Sequence, residues 1–428
     1  MMELTRFRSL DDAAVFAHEA SPLELCETVG GLAVDHEATF LRSLDLVGSH
    51  GLMSPRARSM LDSGLIDQMR QTGLPGQRVH TGGFWIDRIE TIAAELAKRL
   101  FGVNYVELRA LSCAQANELV FAGLAKRGDI VMAQTRIHAA DPSVTPATFG
   151  GLFGYEYVDL PYDEDAFTVD AERAVAAIRK VKPRLVVVGS GCILFPYPVR
   201  ELKAAAESVG AILFYDGAHA VGLSAGGGYQ DASLEGADVI TGSVPKTLCG
   251  PTGGLILSNS SEIAAAIQKI TDSLVSSYPN NHLAALAVTL AEMLQFGKLY
   301  VDRVLRNARA LAEALDDEGL RVLAKKRGYT QSHLILFEDG KRQPLEMVQT
   351  LEAGAIFSTP IRLPAGSPFR GIRLGTASVT RRGLGETEMK QIAVFIRRIL
   401  LEDERPTVVA RDVATFASSF GKVHFCFD

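Results

Sequence analysis

The fold is decided by two stretches, I-L-F-Y-D-G-A-H-A-V-G-L (212–223) and A-D-V-I-T-G-S-V-P-K-T-L-C-G-P-T-G-G-L-I-L (237–257). Each contains an apolar run of the kind that forms a buried strand. The first run ends in Asp216, and the second is followed by Lys246 in a glycine-rich turn that leads to another apolar run. A lysine in such a turn can hold a carbonyl cofactor as a Schiff base, and an aspartate one strand earlier can keep a pyridine nitrogen protonated.

These stretches resemble the serine hydroxymethyltransferase family of fold-type I pyridoxal phosphate enzymes, where D-x-A-H precedes T-H-K-T-L-x-G-P-x-G-G. The matching residues here are D-G-A-H and K-T-L-C-G-P-T-G-G. The resemblance implies pyridoxal 5'-phosphate as the cofactor, with Lys246 as its attachment point. It also implies that Asp216 pairs with the pyridine nitrogen and that His219 hydrogen-bonds the ring hydroxyl. Family members carry histidine where this chain has Pro245.

Apolar runs and helical segments alternate around these stretches, which predicts an α/β fold with a mainly parallel, doubly wound sheet. Ligands of such sheets bind at the carboxyl ends of the strands, where Asp216 and Lys246 fall. The predicted strands cover 129–133, 155–160, 185–189 and 212–215, and the predicted helices between them cover 171–181 and 199–209.

The chain has 428 residues, more than the roughly 250–300 that one core usually organises. We expect an N-terminal helical arm over 1–60, a large cofactor-binding domain over 61–295 and a smaller α+β C-terminal domain over 296–428. A helix predicted over 300–315 would open the last of these.

Charge and cysteine content narrow the possible partners. The net charge is −6, without a long basic run, so neither nucleic acid nor an anionic membrane is an expected partner. No apolar run reaches the length of about 18 residues that spans a bilayer. Five scattered cysteines without a C-x-x-C pair, and histidines without H-x-x-x-H spacing, predict neither a disulfide framework nor a metal site. A reducing cytoplasm is the expected location.

Three further segments resemble phosphate-binding parts of the family. S-C-A-Q-A-N, which begins at Ser112, matches S-G-S-Q-A-N and implies that Ser112 and Cys113 bind the cofactor phosphate at a helix start. Ser49 aligns with a serine near that phosphate, although the acid and amide of the family's S-E-N are missing. Tyr278 stands where the family has G-G-P reaching into a neighbour's site, which implies a homodimer with shared active sites.

Arg373 lies in G-I-R-L-G-T, which resembles the family's G-I-R-x-G-T. A guanidinium fork matches the two oxygens of a carboxylate, so Arg373 is expected to bind the α-carboxylate of an amino acid substrate.

Other positions depart from the family. Its phosphate-binding tyrosine is replaced by Arg70, which is expected either to supply charge at the phosphate or to bind an anionic or polar substrate tail. Its catalytic glutamate is Thr72, and its second active-site tyrosine is His80, a candidate acid, base or substrate contact. In the segment matching A-H-G-G-H, Asp141 takes the ring-stacking position and His138 lies three residues earlier. Both are catalytic candidates.

The altered residues indicate a changed reaction. Pyridoxal phosphate supplies the electron sink, and the protein selects the bond that breaks. We expect a quinonoid-forming enzyme that cleaves or transfers the Cα–Cβ bond of a β-hydroxy-α-amino acid without folate. In the resemblance, Thr72 replaces the glutamate that handles protons beside the folate, Pro245 replaces the histidine before the lysine, and Ala139 and Ala140 replace glycines of the folate loop. A racemase or an oxygenase-decarboxylase is the alternative. True serine hydroxymethyl transfer and a non-catalytic binding protein are less expected.

Overall fold

A computed structural model describes residues 9–71, 73, 75–76, 78, 81–189, 191–362 and 370–428, and gives only the backbone at 69–71, 362 and 370. Thr72 and His80 lie outside the described residues, and so does the side chain of Arg70.

The N-terminal segment contains two helices that bury little of their own surface. Ser9 and Ser21 each begin a helix with a capping box, in which the serine accepts a backbone hydrogen bond and an acid three residues later returns one. The first helix has no buried residue and the second buries only Thr28. The elements are α1 (Leu10–Glu19), α2 (Pro22–Leu41), β1 (Leu44–Asp45) and α3 (Pro55–Ser59).

The next part of the chain builds the main sheet and the helices on its two faces. Its elements are β2 (Met69–Gln71), α4 (Phe84–Phe101), β3 (Tyr105–Glu107), α5 (Cys113–Leu124), β4 (Ile130–Ala133), α6 (Phe149–Phe153), β5 (Glu156–Asp159), β6 (Tyr162–Asp163), β7 (Thr168–Val169), α7 (Ala171–Val181), β8 (Leu185–Val188), α8 (Val199–Val209), β9 (Ile212–Asp216), α9 (Val221–Ala225), β10 (Val239–Ser243), β11 (Gly254–Ser258), α10 (Ser261–Leu274), β12 (Ser277–Pro279) and α11 (Asn280–Asp317).

The main sheet has the strand order β3-β11-β10-β9-β8-β4-β5. The five strands from β10 to β5 are parallel, and β11 runs antiparallel to both of its neighbours. Successive residues of the central strands enter different cores: Val186 and Leu213 pack on one face, and Val187 and Phe214 pack on the other. Burial on both faces explains the continuous apolar runs in the sequence, and the predicted doubly wound, mainly parallel sheet is confirmed.

Helix α11 has 38 residues and contributes to two cores. Its residues from Leu283 to Val304 pack in the core of the main sheet, and those from Ala308 to Leu315 pack in a second core. The helix therefore begins 20 residues before the predicted start at Tyr300 and crosses the predicted boundary at 295, so the division into domains stays a prediction. One window of α11 is long and apolar enough to cross a bilayer, but 56% of it is buried inside the protein.

The C-terminal part forms a four-stranded antiparallel sheet in the order β13-β14-β17-β16, with helices against it. Met389, Ile392, Ile396 and Ile399 of α14 are buried in the second core, as their spacing predicts. The elements are β13 (Arg321–Val322), β14 (Leu334–Glu338), α12 (Pro344–Ala353), β15 (Ile356–Phe357), β16 (Thr359–Arg362), β17 (Arg370–Gly375), α13 (Ala377–Arg381), α14 (Glu386–Leu400) and α15 (Pro406–Ser418).

Arg382 joins the end of α2 to the end of α15. Its buried guanidinium donates to backbone carbonyl oxygens in the last turn of each helix and just after it. The acceptors are Phe40 at 3.3 Å, Leu41 at 2.7 Å, Ser43 at 2.7 Å, Ala417 at 2.8 Å and Phe420 at 3.0 Å. One side chain thus links the C-terminal ends of α2 and α15.

Replacing Arg382 should loosen both helix ends. We expect Arg382→Ala to lower the free energy of unfolding by about 3 kcal/mol, because several buried carbonyls lose a charged donor. Urea unfolding of the cofactor-free protein measures the loss, and Arg411→Ala on the exposed side of α15 is the control. Equal unfolding midpoints for the two variants would contradict this role.

Candidate functional site

Lys246 lies in a tight turn between β10 and β11, at the carboxyl end of the parallel strands. Backbone bonds from Val244 to the carbonyl of Gly253 (3.1 Å) and from Gly250 to that of Val244 (3.0 Å) close the turn. Any side chain at Gly254 would overlap the carbonyl oxygen of Ser112. The glycines therefore let the lysine turn pack directly against the start of α5, as the sequence motif predicts.

His219 lies between Lys246 and a second histidine. Its Nε2 is 3.3 Å from the Nζ of Lys246, and its Nδ1 is 3.3 Å from the Nε2 of His333. Burial, followed by the charges of Lys246 and Arg373, holds the pKa of His219 well below its ordinary value, although a backbone bond to Gly48 acts in the opposite direction. Burial lowers the pKa of His333 to about 3, so both rings are neutral at pH 7.

Asp216 ends β9 with its carboxylate inside the protein, 3% exposed. It accepts hydrogen bonds from Asn117 Nδ2 (3.0 Å) and from the backbone of Ala218 (3.0 Å), and the thiol of Cys113 is 3.8 Å away. Burial, and then Asp141, raise the pKa of Asp216. In the described part of the chain its hydrogen-bond donors are all neutral. A protonated pyridine nitrogen would supply the missing cation, so this carboxylate fits the expected cofactor.

A polar chain links Asp216 to Asp141. Asn117 also donates to Ser143 Oγ (2.9 Å), and Ser143 Oγ donates to Asp141 Oδ1 (2.6 Å). The side-chain oxygen of Asn117 accepts a hydrogen bond from Thr241 Oγ1 (2.6 Å). Asn117 lies one helical turn after Cys113, and the motif S-C-A-Q-A-N contains it, but residue type alone did not assign it a role. Ser143 and Thr241 belong to no motif that could have indicated them.

Arg373 projects from β17 and is 8% exposed. Its Nη1 donates to the carbonyl of Gly191, while its Nε is buried without a partner among the described residues. Among the described residues no acidic side chain forms an ion pair with it. A buried guanidinium with an unused donor fits a substrate carboxylate. The neighbouring thiol of Cys192 stays protonated, since burial raises its pKa to about 11.

The residues expected at the phosphate surround the start of α5. Ser112 is the N-cap, and its Oγ accepts the backbone N–H of Gln115 at 3.1 Å. Burial raises the pKa of Cys113 well above its usual value, so its side chain is a neutral thiol. Free N–H groups at this helix start are the donors that a phosphate can use.

The segment that follows Ser49 contacts the lysine turn, and the hydroxyl of Tyr278 lies beside a glycine of that turn. Ser49 precedes Gly51, whose N–H donates to the carbonyl of Pro245 at 2.8 Å. Tyr278 is buried in β12, and a side chain at Gly253 would meet its hydroxyl at 3.3 Å. Tyr278 also pairs with the backbone of Arg70 in β2, which brings that strand to the same region.

His138 is directed away from the Asp216 network. Its ring stacks on Tyr162 with 4.4 Å between centroids, and its Nδ1 lies 3.1 Å from Thr135 Oγ1. The short helical turn 136–138 ends at Ala139, whose positive φ of 59° turns the chain toward Asp141. Of the two candidates in this loop, Asp141 is the one hydrogen-bonded into the site. No cluster of metal-binding side chains occurs among the residues that the structure describes.

Comparison with known proteins identifies the family. The family model for serine hydroxymethyltransferase matches residues 32–396. This chain belongs to the serine hydroxymethyltransferase family. It is 37% identical over 418 residues to the serine hydroxymethyltransferase of Thermococcus kodakarensis, covering 95% of this chain and 96% of that protein. It is 37% identical to that of Methanothermobacter thermautotrophicus, with coverages of 94% and 96%.

A solved structure shares the fold. L-threonine transaldolase from Pseudomonas fluorescens, in its internal aldimine state, superimposes with a TM-score of 0.88 at 24% identity, covering 95% of this chain and 94% of that one. The predicted fold class, a fold-type I pyridoxal phosphate-dependent transferase, is therefore confirmed. Serine hydroxymethyltransferase-family membership implies pyridoxal phosphate, consistent with the fit of Asp216 and Arg373.

The unpartnered Nε–H of Arg373 leads to a prediction for substrate binding. With pyridoxal phosphate loaded, Arg373→Ala should weaken the binding of glycine about 100-fold, because a buried charged donor to the carboxylate is lost. The binding is measured from the change in cofactor absorbance on glycine titration. Arg373→Lys keeps the charge but loses the forked guanidinium, so its glycine affinity should lie between those of the original protein and Arg373→Ala. Unchanged glycine affinity in Arg373→Ala, with normal cofactor absorbance, would refute the carboxylate role.

Proposed function

We propose that this protein is a pyridoxal phosphate-dependent enzyme that cleaves or transfers the Cα–Cβ bond of a β-hydroxy-α-amino acid without folate. The carrying observation is the position of Lys246 at the carboxyl ends of the strands, 3.3 Å from His219, where its charge acts on both Asp216 and His219 and the charge of Arg373 acts on His219. When bound, the cofactor supplies an electron sink for the bond that breaks at Cα.

Each of these residues has one task in the proposal. Lys246 would hold the cofactor through its side-chain amine, which the substrate amine would replace. Asp216 keeps a proton on the ring nitrogen, because its buried carboxylate has only neutral donors otherwise. Arg373 fixes the substrate carboxylate through its unused Nε–H and so orients the bonds at Cα.

The residues around Lys246 favour a folate-independent reaction. Pro245, the neighbour of Lys246, has no side-chain proton to exchange, and its carbonyl is engaged by Gly51. Ala139 and Ala140 add methyl groups where the family's folate loop has glycines, and Ala140 is buried. Asp141, rather than a stacking ring, is hydrogen-bonded toward Asp216. These differences remove family features used with folate and keep those used with the amino acid.

We also propose a homodimer with shared active sites. Apolar side chains on the N-terminal helices and at the start of α4 are exposed in the single chain, and their burial would stabilise an assembly. The single tryptophan is 70% exposed. The exposed residues are Leu10, Val15, Leu23, Val29, Val34, Phe84 and Trp85.

A second candidate is serine hydroxymethyl transfer itself. Its support is the name carried by the archaeal relatives, which are 37% identical over nearly the whole chain. The two reactions differ in whether tetrahydrofolate is required.

Product analysis separates these reactions. We expect the loaded protein to release glycine and an aldehyde from L-threonine or a related β-hydroxy-α-amino acid, at a rate independent of tetrahydrofolate. The Lys246→Ala variant, incubated with the same cofactor, gives the background rate of product release. Mass spectrometry identifies the products with a panel of amino acids and aldehydes. Stimulation of glycine–serine exchange by tetrahydrofolate, on the order of 100-fold, would favour the second candidate, and deuterium entry at Cα without carbon loss would indicate a racemase.

A further inference from the structure

His333 is a completely buried histidine that no sequence motif indicated. It lies just before β14, and its carbonyl accepts the N–H of Thr376 at 3.2 Å. Its ring nitrogen Nε2 is 3.3 Å from the Nδ1 of His219. His219 in turn presents Nε2 to Lys246 at 3.3 Å. The three side chains form a row that ends at the point of cofactor attachment.

The tautomers of the two rings are coupled by this contact. A neutral imidazole carries one N–H and one acceptor nitrogen, and two facing nitrogens can share one hydrogen only. If His333 donates from Nε2, then Nδ1 of His219 accepts and its Nε2 carries hydrogen. If His219 donates from Nδ1, its Nε2 is an acceptor and the hydrogen of His333 is on Nδ1.

The surroundings of His333 make these two tautomeric states unequal in free energy. Its Nδ1 is buried and has no partner in the part of the chain that the structure describes, and a side chain at Gly375 would lie 3.3 Å from it. A buried N–H without an acceptor is rarer and costs more than an acceptor without a donor. The first state, with hydrogen on Nε2 of both rings, is therefore preferred by His333 itself.

In the cofactor-free protein, the contact with Lys246 favours the second state, in which Nε2 of His219 is an acceptor. A protonated lysine has donors and no acceptor, so its contact with His219 requires an acceptor at Nε2. This puts the hydrogen of His333 on the unpartnered Nδ1. With the cofactor attached to Lys246 this requirement would be absent. Both rings would then change tautomer by exchange with solvent during cofactor binding: solvent would take the hydrogen on His333 Nδ1 and supply one to His219 Nε2, and the shared hydrogen would pass from His219 to His333. Each ring would keep one N–H and stay neutral.

We propose that His333 is a positioning residue that sets the tautomer of His219, so that with the cofactor bound His219 donates from Nε2 to the ring hydroxyl oxygen of pyridoxal phosphate. This inference rests on the proposed cofactor binding through Lys246. It adds a residue that contacts neither the cofactor nor the substrate but fixes the donor that does.

Two substitutions at His333 test the proposal. In His333→Gln the side-chain amide can donate to His219 Nδ1, whereas His333→Leu fills similar volume without a donor. We expect the leucine variant to bind pyridoxal phosphate about fivefold to tenfold more weakly and the glutamine variant to stay within about twofold of the original protein. Ser332→Ala is the control, because it removes a buried bond to the carbonyl of Ile193 in the same segment. It should lower stability without changing cofactor affinity.

Nitrogen-15 spectra of labelled histidine give a second readout that does not depend on activity. The His219 signals, assigned with His219→Gln, should change from the Nδ1–H to the Nε2–H tautomer when pyridoxal phosphate is added, and this change should be lost in His333→Leu. Equal cofactor affinity and the same tautomer change in His333→Leu would overturn the inference alone. Failure of the original protein to bind pyridoxal phosphate would overturn the proposed function and this inference together.

Discussion

A carboxylate buried at the end of a central strand is the constraint on which the site depends. Asp216 is placed inside the protein by β9, the middle strand of the main sheet, and its hydrogen bonds come from neutral donors. Burial of a charge is unfavourable unless a cation compensates it. The surrounding structure is arranged for such a cation: Asn117 and Ala218 orient the carboxylate, and Lys246 lies on the next strand connection. The cofactor would complete an electrostatic arrangement that the fold has prepared.

The same logic applies on the other side of His219. Arg373 carries a buried positive charge with an unused donor, and Asp216 carries a buried negative charge. The neutral pair of His219 and His333, on which the charges of Arg373 and Lys246 act, fills the interior without adding charge. One end of the site is thus suited to a protonated ring nitrogen and the other to a carboxylate. This polarity fits an amino acid joined to a pyridine cofactor.

The parts of the fold with strong local signals could be predicted from the sequence. Helices α7 and α8 begin and end where periodicity places them, and the strands around Asp216 follow from continuous apolar runs. The first half of α11 was missed, because a helix packed into two cores has apolar residues on several faces and loses a clear period. Lys246, Asp216, His219 and Arg373 come together because motif glycines and strand ends fix their positions. Asn117 and His333 depend on contacts across 99 and 114 residues, which single-chain patterns do not contain.

Reductive trapping tests the central claim most directly. The account predicts that borohydride treatment of the protein loaded with pyridoxal phosphate, followed by proteolysis and mass spectrometry, places one pyridoxyl group on Lys246, and that Lys246→Ala abolishes this label. A stable label on another lysine, or no label on a protein that binds the cofactor, would contradict it.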